Sequence, residues 1–421
     1  MSEVPPETAS EKVARLIGAD RVRKPLDREH ACVGVMVEPA SVEEISELVR
    51  MCETDRLTLA PVGAARTLSQ MRHEPVTFGI SLARLNRIVA HEPDDLTVAV
   101  EAGMTIAALN AELAKSHQRL PVDPFSPVET TVGALVAGAH SGPLRLSEGT
   151  PRDLLIGVGF VGQAGRTVHG GGRVVKNVAG YDLMKVIGGS FGTLGIITET
   201  VFKIRPIPEQ YAVALIPHNR AEDAFAGAAA LHDKLSLAHL EVLSPALADQ
   251  FGHSGKFLII AGFSGSPSEI GYQAEKILEL AGDRGAILDA AAAEWNYETL
   301  RDLDFTARPL SARFSVLPAA LPAALDSING QYCAHPGNGI AEVYVAAQQS
   351  PDSAQKIVGE WRERAARARG HVRIIAAAEP VRSSFDYFDQ PNDGALKLMR
   401  RLKQAFDPSG IFNPSSFVGG I

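Results

Sequence analysis

Two stretches of very small residues mark places where the backbone itself could touch a ligand. Pro61–Thr67 (PVGAART) follows an apolar run, and Gly133–Gly142 (GALVAGAHSG) lies in a longer small-residue segment. Main-chain N–H groups bind phosphates, and they approach closely only where side chains are tiny. Small residues also let two elements pack tightly, so either stretch alone supports both readings. Neither is a Gly-x-Gly-x-x-Gly turn, which argues against a nicotinamide-binding Rossmann unit. The segment RVVKNVAGYDL offers Lys176, Asn177, Tyr181 and Asp182. These polar residues are read as shaping a turn rather than as catalysts.

Composition removes several classes of function. The three cysteines, Cys32, Cys52 and Cys333, lie far apart with no Cys-x-x-Cys. That leaves no disulfide framework, zinc knuckle or self-contained iron–sulfur site. A net charge of −8 with no long basic run speaks against nucleic acid. The polar, acidic start MSEVPPETASEKVARLIG is not a signal peptide. No apolar run approaches the ~20 residues that span a bilayer. The expected location is cytoplasmic, with any membrane contact made through a partner. The chain has 421 residues, 45% of them hydrophobic, enough for two or three domains.

The elements that must position these segments alternate. Val33–Val37, Leu57–Val62, Leu96–Val100, Leu154–Val161 and Ile196–Ile204 read as strands. Ser41-Val-Glu-Glu44 forms a capping box, and Thr105 caps a helix carrying Ile106, Leu109 and Leu113. Arg205-Pro-Ile-Pro-Glu209 is the best linker, because paired prolines stop both helix and sheet. Beyond it, six strand-like runs begin at Tyr211, Leu237, Phe257, Arg313, Ile340 and Val372, with helices between them. Ser266–Glu269 is a second capping box, and Gly370 follows an Arg-rich helix end as a C-terminal cap. Trp295 and Trp361 lie on helix-like stretches as core or interface residues. A last helix near Ala395–Phe406 meets the turn Asp407-Pro-Ser-Gly410.

The order PVGAART, VEAGM, LPVDPFSP, TTVGALVAGAHSG, GTPRDLLIGV, KNVAGYDLMKVIGGSFGTLGIITE and AFDPSGIFNP resembles the vanillyl-alcohol-oxidase (PCMH-type) flavoproteins. Within that family the nearest likeness is to the FAD-binding subunits of glycolate oxidases. The resemblance covers nearly the whole chain and is densest from Val98 to Pro206. It implies an α+β fold: a two-part PCMH-type FAD-binding domain plus a second α+β domain with a mostly antiparallel sheet covered by helices. The implied divisions are 1–207 for the FAD domain, 208–394 for a substrate or partner (cap) domain, and 395–421 for a segment returning to the FAD domain.

The resemblance also places cofactor residues. Pro61, Val62, Gly63, Ala64, Ala65, Arg66 and Thr67 match the FAD pyrophosphate loop. Asp123 and Pro124 match a segment beside the flavin. Thr131, Val132 and Gly133 match a phosphate- and flavin-contacting turn that ends at Ser141 and Gly142. Arg152 and Asp153 fall where the strand under the adenine half begins, and Gly195, Ile196 and Ile197 where backbone holds the adenine. Asn413 sits at the closing Asn-Pro, and His140 is placed beside the cofactor. The first loop departs from the family's adjacent glycines with Gly-Ala-Ala-Arg, so Arg66 would assist a phosphate. No histidine stands in Pro61–Thr67, so the expected FAD is non-covalent.

Oxidation of a 2-hydroxy acid needs a cation for the carboxylate, a base for the hydroxyl proton and a flavin facing the α-hydrogen. Arg313 at a strand start and His335 in a turn resemble the arginine strand and His-x-Gly-x-Gly loop of related dehydrogenases. Relatives place a second His where Glu342 stands here, and the two are too widely spaced in sequence to propose a metal site. The implied function is the FAD-binding subunit of a glycolate oxidase-like complex. A sister flavoprotein and an iron–sulfur subunit would take its electrons. The alternatives are a stand-alone D-lactate-like dehydrogenase and a flavin-holding docking subunit without catalysis.

Overall fold

The structure is a computed structural model, and it describes residues 8–26, 33–63, 76–173 and 181–421. Lys176 and Asn177, and Ala64 to Thr67 of the first small-residue loop, lie outside the described residues.

In the first part, short strands end at capping residues and turn into helices. Ser41 accepts from the Glu44 N–H at 3.2 Å and starts the 42–55 helix. The expected reciprocal arm goes elsewhere: Glu44 accepts from the Ala40 N–H and from both ends of the Arg21 guanidinium. Val22–Arg23 (β1), Val33–Val37 (β2), Leu59–Val62 (β3) and Val76–Ser81 (β4) form one sheet in the order β1-β2-β4-β3. Its β2-β4 and β4-β3 pairs are parallel.

A second, antiparallel sheet holds Ile88–Glu92 (β5), Thr97–Glu101 (β6), Leu155–Val161 (β8), Thr167–Gly171 (β9) and Ile196–Lys203 (β10), in the order β5-β6-β10-β8-β9. Gln118–Arg119 (β7) pairs with Arg205–Pro206 (β11), so the proline-rich connection is tied down rather than free. Both sheets share one core, and Phe78, Phe160 and Phe202 are fully buried in it.

The second part is a single eight-stranded antiparallel sheet. Its strands are Gln210–His218 (β12), His239–Leu243 (β13), Phe257–Gly265 (β14), Ala286–Ile287 (β15), Leu310–Ser315 (β16), Gln331–His335 (β17), Ile340–Val345 (β18) and His371–Ala377 (β19). They run in the order β15-β12-β14-β13-β17-β18-β16-β19. Six had been expected. The two missed are the two-residue β15 and the short β17, whose polar ends beside a Gly-Asn-Gly turn give no apolar run. His335 therefore closes a strand instead of sitting in a turn, and Arg313 lies inside β16.

The 221–234, 267–281 and 351–367 helices pack on one face of this sheet, with Trp361 fully buried, whereas Trp295 is half exposed. The last of these helices ends on a left-handed Arg369, not on Gly370. Gly370 is small for another reason: a Cβ there would lie 2.1 Å from the Ser315 carbonyl oxygen.

The C-terminal segment folds back onto the first part. The Leu59 N–H donates to Ile411, the Asn413 N–H donates to Leu59, and Phe412 enters the first core. Lys403, on the Asp393–Phe406 helix, donates to the Thr193 and Phe412 carbonyls and to the Asp407 carboxylate, at 2.7–2.8 Å. The fold is thus α+β, a PCMH-type FAD-binding domain plus a domain with a large antiparallel sheet.

Candidate functional site

A cavity of about 440 Å³ runs between the two parts. That lies within the ~300–1,000 Å³ of ordinary ligand pockets. One wall is nearly bare main chain from the first part: Gly63, Gly133, Ala134, Gly138, Gly142 and Gly192. The other end is polar and comes from the large sheet: Arg313, Cys333, His335, Glu342 and Arg373.

The bare wall is built by close approach between elements. Thr131 caps the 132–138 helix, its hydroxyl accepting from the Ala134 N–H at 3.2 Å. The Val132 and Gly133 N–H groups donate to the Met104 and Ala102 carbonyls. The expected free donors of this turn are therefore already used, and the segment offers a smooth small-residue surface instead. A Cβ on Gly133 would meet Ala102 at 3.0–3.1 Å, so its smallness serves packing of the helix itself. Gly192, at φ +72°, brings its loop against Pro61, where a Cβ would sit 2.6 Å from the proline ring. A flat ring system and a diphosphate fit such a wall, because no side chain stands in the way. Residues of the kind that would hold FAD are thus present on this wall of the cavity.

Of the residues expected at the cofactor, Pro61, Val62, Gly63, Pro124, Thr131, Gly133, Ser141, Gly142, Gly195, Ile197 and Asn413 line the cavity. Val132 and Ile196 do not: both are fully buried in the first core, as strand and helix periodicity dictates. Asp153 and Arg152 lie in a short 151–154 helix, with strand β8 starting only at Leu155. Asp153 closes a capping box with Thr150 instead of facing a ligand. Asp123 is also a tie. Its carboxylate accepts from the Gly142 and Leu144 N–H groups and from the Tyr297 hydroxyl at 3.1 Å. Burial pushes its pKa up to about 6, against the pull of those hydrogen bonds. Asn413 donates to the Phe191 carbonyl at 2.7 Å, fixing the C-terminal segment at the cavity wall.

The polar end follows from strand register. Cys333 on β17, Glu342 on β18, Arg313 on β16 and Arg373 on β19 are consecutive cross-strand partners and form one row across four strands. His335 joins it from the end of β17. Its Nε2 lies 2.9 Å from Glu342 and its Nδ1 3.1 Å from Glu241, a fully buried carboxylate on β13. Glu241 in turn contacts His239 at 2.6 Å, and His239 shares a 2.5 Å hydrogen bond with Tyr211. His335 and Glu342 are therefore adjacent in space despite their separation in sequence. Among the described residues, however, no three such side chains converge as a metal site.

Electrostatics fixes the protonation states. Burial opposes charge on His335, but Cys333, Glu342 and the hydrogen bond to Glu241 hold its pKa well above the usual imidazole range. Burial pushes the Cys333 thiol up to about 11, so at neutral pH the carboxylates carry the negative charge. His335 is then an imidazolium donating through both nitrogens. Burial would raise Glu342, but Arg313 and His335 outweigh it and hold that carboxyl at about 2. His140, also on the cavity wall, is driven down to about 4 by burial and by Arg373 and Arg313. It is a neutral imidazole at pH 7.

Glu241 and Arg373 were not anticipated from sequence, though a signal existed. Each is a charged residue at an alternate position of an otherwise apolar strand (HLEVL, HVRIIAA). A period-two charge in a strand buried on both faces marks a paired or ligand-facing position.

A wall of small residues facing a charged sheet across an interdomain cavity suits a bound dinucleotide beside an anionic ligand. Comparison with known proteins agrees: residues 33–171 match FAD binding domains, and residues 385–416 match the C-terminal domain of FAD linked oxidases. The chain thus carries an FAD binding domain and is similar to FAD-linked oxidoreductases. It is 25% identical to a D-lactate dehydrogenase of Anaerostipes hadrus, across 90% of this chain and 88% of that one. A stretch covering 32% of this chain and 39% of the relative is 38% identical to the glycolate oxidase subunit GlcE of Escherichia coli. The fold matches p-cresol methylhydroxylase with substrate bound at a TM-score of 0.68 and 15% identity, over 96% of this chain and 95% of that one. Among the described residues, no helix is long and apolar enough to cross a membrane.

Proposed function

We propose that this chain oxidises a small 2-hydroxy acid with non-covalent FAD, as the FAD-binding subunit of a glycolate oxidase-like complex. A sister flavoprotein and an iron–sulfur subunit are the proposed electron acceptors. The observation that carries this reading is the continuity of one cavity from the small-residue wall to the guanidinium groups of the large sheet. In the proposed division, residues 1–207 with 395–421 hold the cofactor, and 208–394 hold the acid.

Bound FAD supplies the hydride acceptor. Arg313 lies 3.5 Å from Glu342 through Nε, and the end of its guanidinium takes the substrate carboxylate. His335 donates through both nitrogens and so cannot accept the hydroxyl proton. It orients Glu342 instead. The proton goes to a ring nitrogen of His140, which is neutral and lies within the field of Arg313 and Arg373. A substrate carboxylate on Arg313 offsets the positive charge that adds to burial in depressing this imidazole, and so raises its basicity as it binds.

The locked state of His335 also supports a second reading, a docking subunit that holds flavin without turnover. Anaerobic mixing of the yellow protein with glycolate and D-lactate separates the two. Bleaching of the flavin absorbance by the isolated chain eliminates the docking role. Bleaching only in the assembled complex supports a subunit role. A colourless protein that takes up no FAD overturns the proposal.

A further inference from the structure

We infer that the acid accepted here carries a second carboxylate, and that Arg373 is its anchor. The inference rests on the reading of this cavity as a 2-hydroxy-acid site.

Arg313 and Arg373 are direct cross-strand partners on β16 and β19, and both line the cavity. Like charges directly opposite each other destabilise a sheet. One carboxylate, Glu342, serves this pair, and it must also hold His335. Among the described residues Arg373 makes no ion pair. Its contact is the Phe191 ring, 5.7 Å from the guanidinium carbon, which can hold the flat fork in one orientation. Arg145 adds to the positive field: it donates to Ser141 on the cavity wall, and burial, with Arg313 nearby, lowers its pKa. A monocarboxylate on Arg313 would leave Arg373 lining the cavity without an anion. A second carboxylate completes the row, alternating sign along the wall: His335, Glu342, Arg313 and Arg373 against two ligand carboxylates.

The test uses the FAD-loaded protein with succinate and malonate as non-oxidisable probes, acetate as the monocarboxylate control, and D- and L-malate, 2-hydroxyglutarate and D-lactate as reductants. A charge-assisted pair of this kind corresponds to roughly 10- to 100-fold in affinity. Calorimetry should therefore give succinate or malonate at least a tenfold advantage over acetate. Arg373→Gln should abolish that advantage while leaving FAD content and acetate binding within about twofold, and Arg373→Lys should restore part of it.

No dicarboxylate preference in the wild-type protein overturns the inference, whether or not the variants fold. So does a preference that survives Arg373→Gln, or loss of FAD from that variant, which would put the guanidinium on the cofactor. Bleaching by D-lactate without any dicarboxylate preference refutes the second anchor alone. Dicarboxylate binding without bleaching by any acid, in the isolated chain and in the assembled complex alike, upholds the anchor and refutes the oxidase reading instead.

Discussion

Replacing Glu342 by Gln keeps the shape of the sheet face but removes the carboxylate between His335 at 2.9 Å and Arg313 at 3.5 Å. The side chain is only 15% exposed, so solvent screens these contacts weakly. Its pKa falls from 4.5 to about 2 on folding. At ~1.4 kcal/mol per unit, that is about 3 kcal/mol of stability at pH 7. The figure agrees with the ~3–5 kcal/mol lost when one partner of a buried pair is removed. Unfolding entropy of ~2.1 cal/mol/K per residue converts it to a drop of ~3 °C in Tm for the whole chain.

The sign of the pH dependence is fixed. A depressed carboxyl pKa gives stability that is fully present above the unfolded value and is lost as pH falls through the folded one. If Gln mimics the protonated carboxyl, the gap between wild type and Glu342→Gln should shrink from about 3 kcal/mol at pH 7 to about 1 at pH 3. Denaturant melts across that range measure it. A gap below ~1 kcal/mol at pH 7, or one that widens on acidification, would refute the ion-pair account of this wall.

Two further perturbations probe the other walls of the cavity. Lys403→Met removes the cation from three acceptors and leaves the Asp407 carboxylate buried, with only the Ile411 and Phe412 N–H groups as donors among the described residues. It should cost ~3 kcal/mol and expose the C-terminal segment to limited proteolysis, with FAD retention falling in parallel. Unaltered cleavage kinetics would show that Lys403 does not pin residues 411–416. Gly192→Ala forces a side chain into left-handed backbone against Pro61 and should cost ~1–3 kcal/mol, with weakened FAD binding in a titration of the apoprotein. Wild-type affinity at wild-type stability would mean that the 190–195 loop shifts freely.

Local elements were legible because each has a local cause. The strand Val33–Val37, the Ser266–Glu269 capping box and the Thr105 cap depend on neighbours within a few residues, and the structure has all three. The small-residue wall was legible too, but its physical role was not. Gly133 reads as room for a ligand until its N–H and its missing Cβ are both seen to be spent on Ala102. Likewise Asp123 reads as a flavin contact, yet its oxygens are occupied by Gly142, Leu144 and Tyr297, the last from 174 residues away.

The polar end was the least legible part, for a reason that lies in sheet register. Cys333, Glu342, Arg313 and Arg373 become neighbours only when β17, β18, β16 and β19 align, and that order does not follow the chain. A histidine judged alone, with Glu342 seven residues away, invites the role of a base. Once β13 delivers Glu241 to its other nitrogen, the same ring becomes a fixed cation. The electrostatics of this wall is therefore set by pairing between strands: Glu241 and Glu342 hold His335, while Arg313 and Arg373 meet side by side at the cavity.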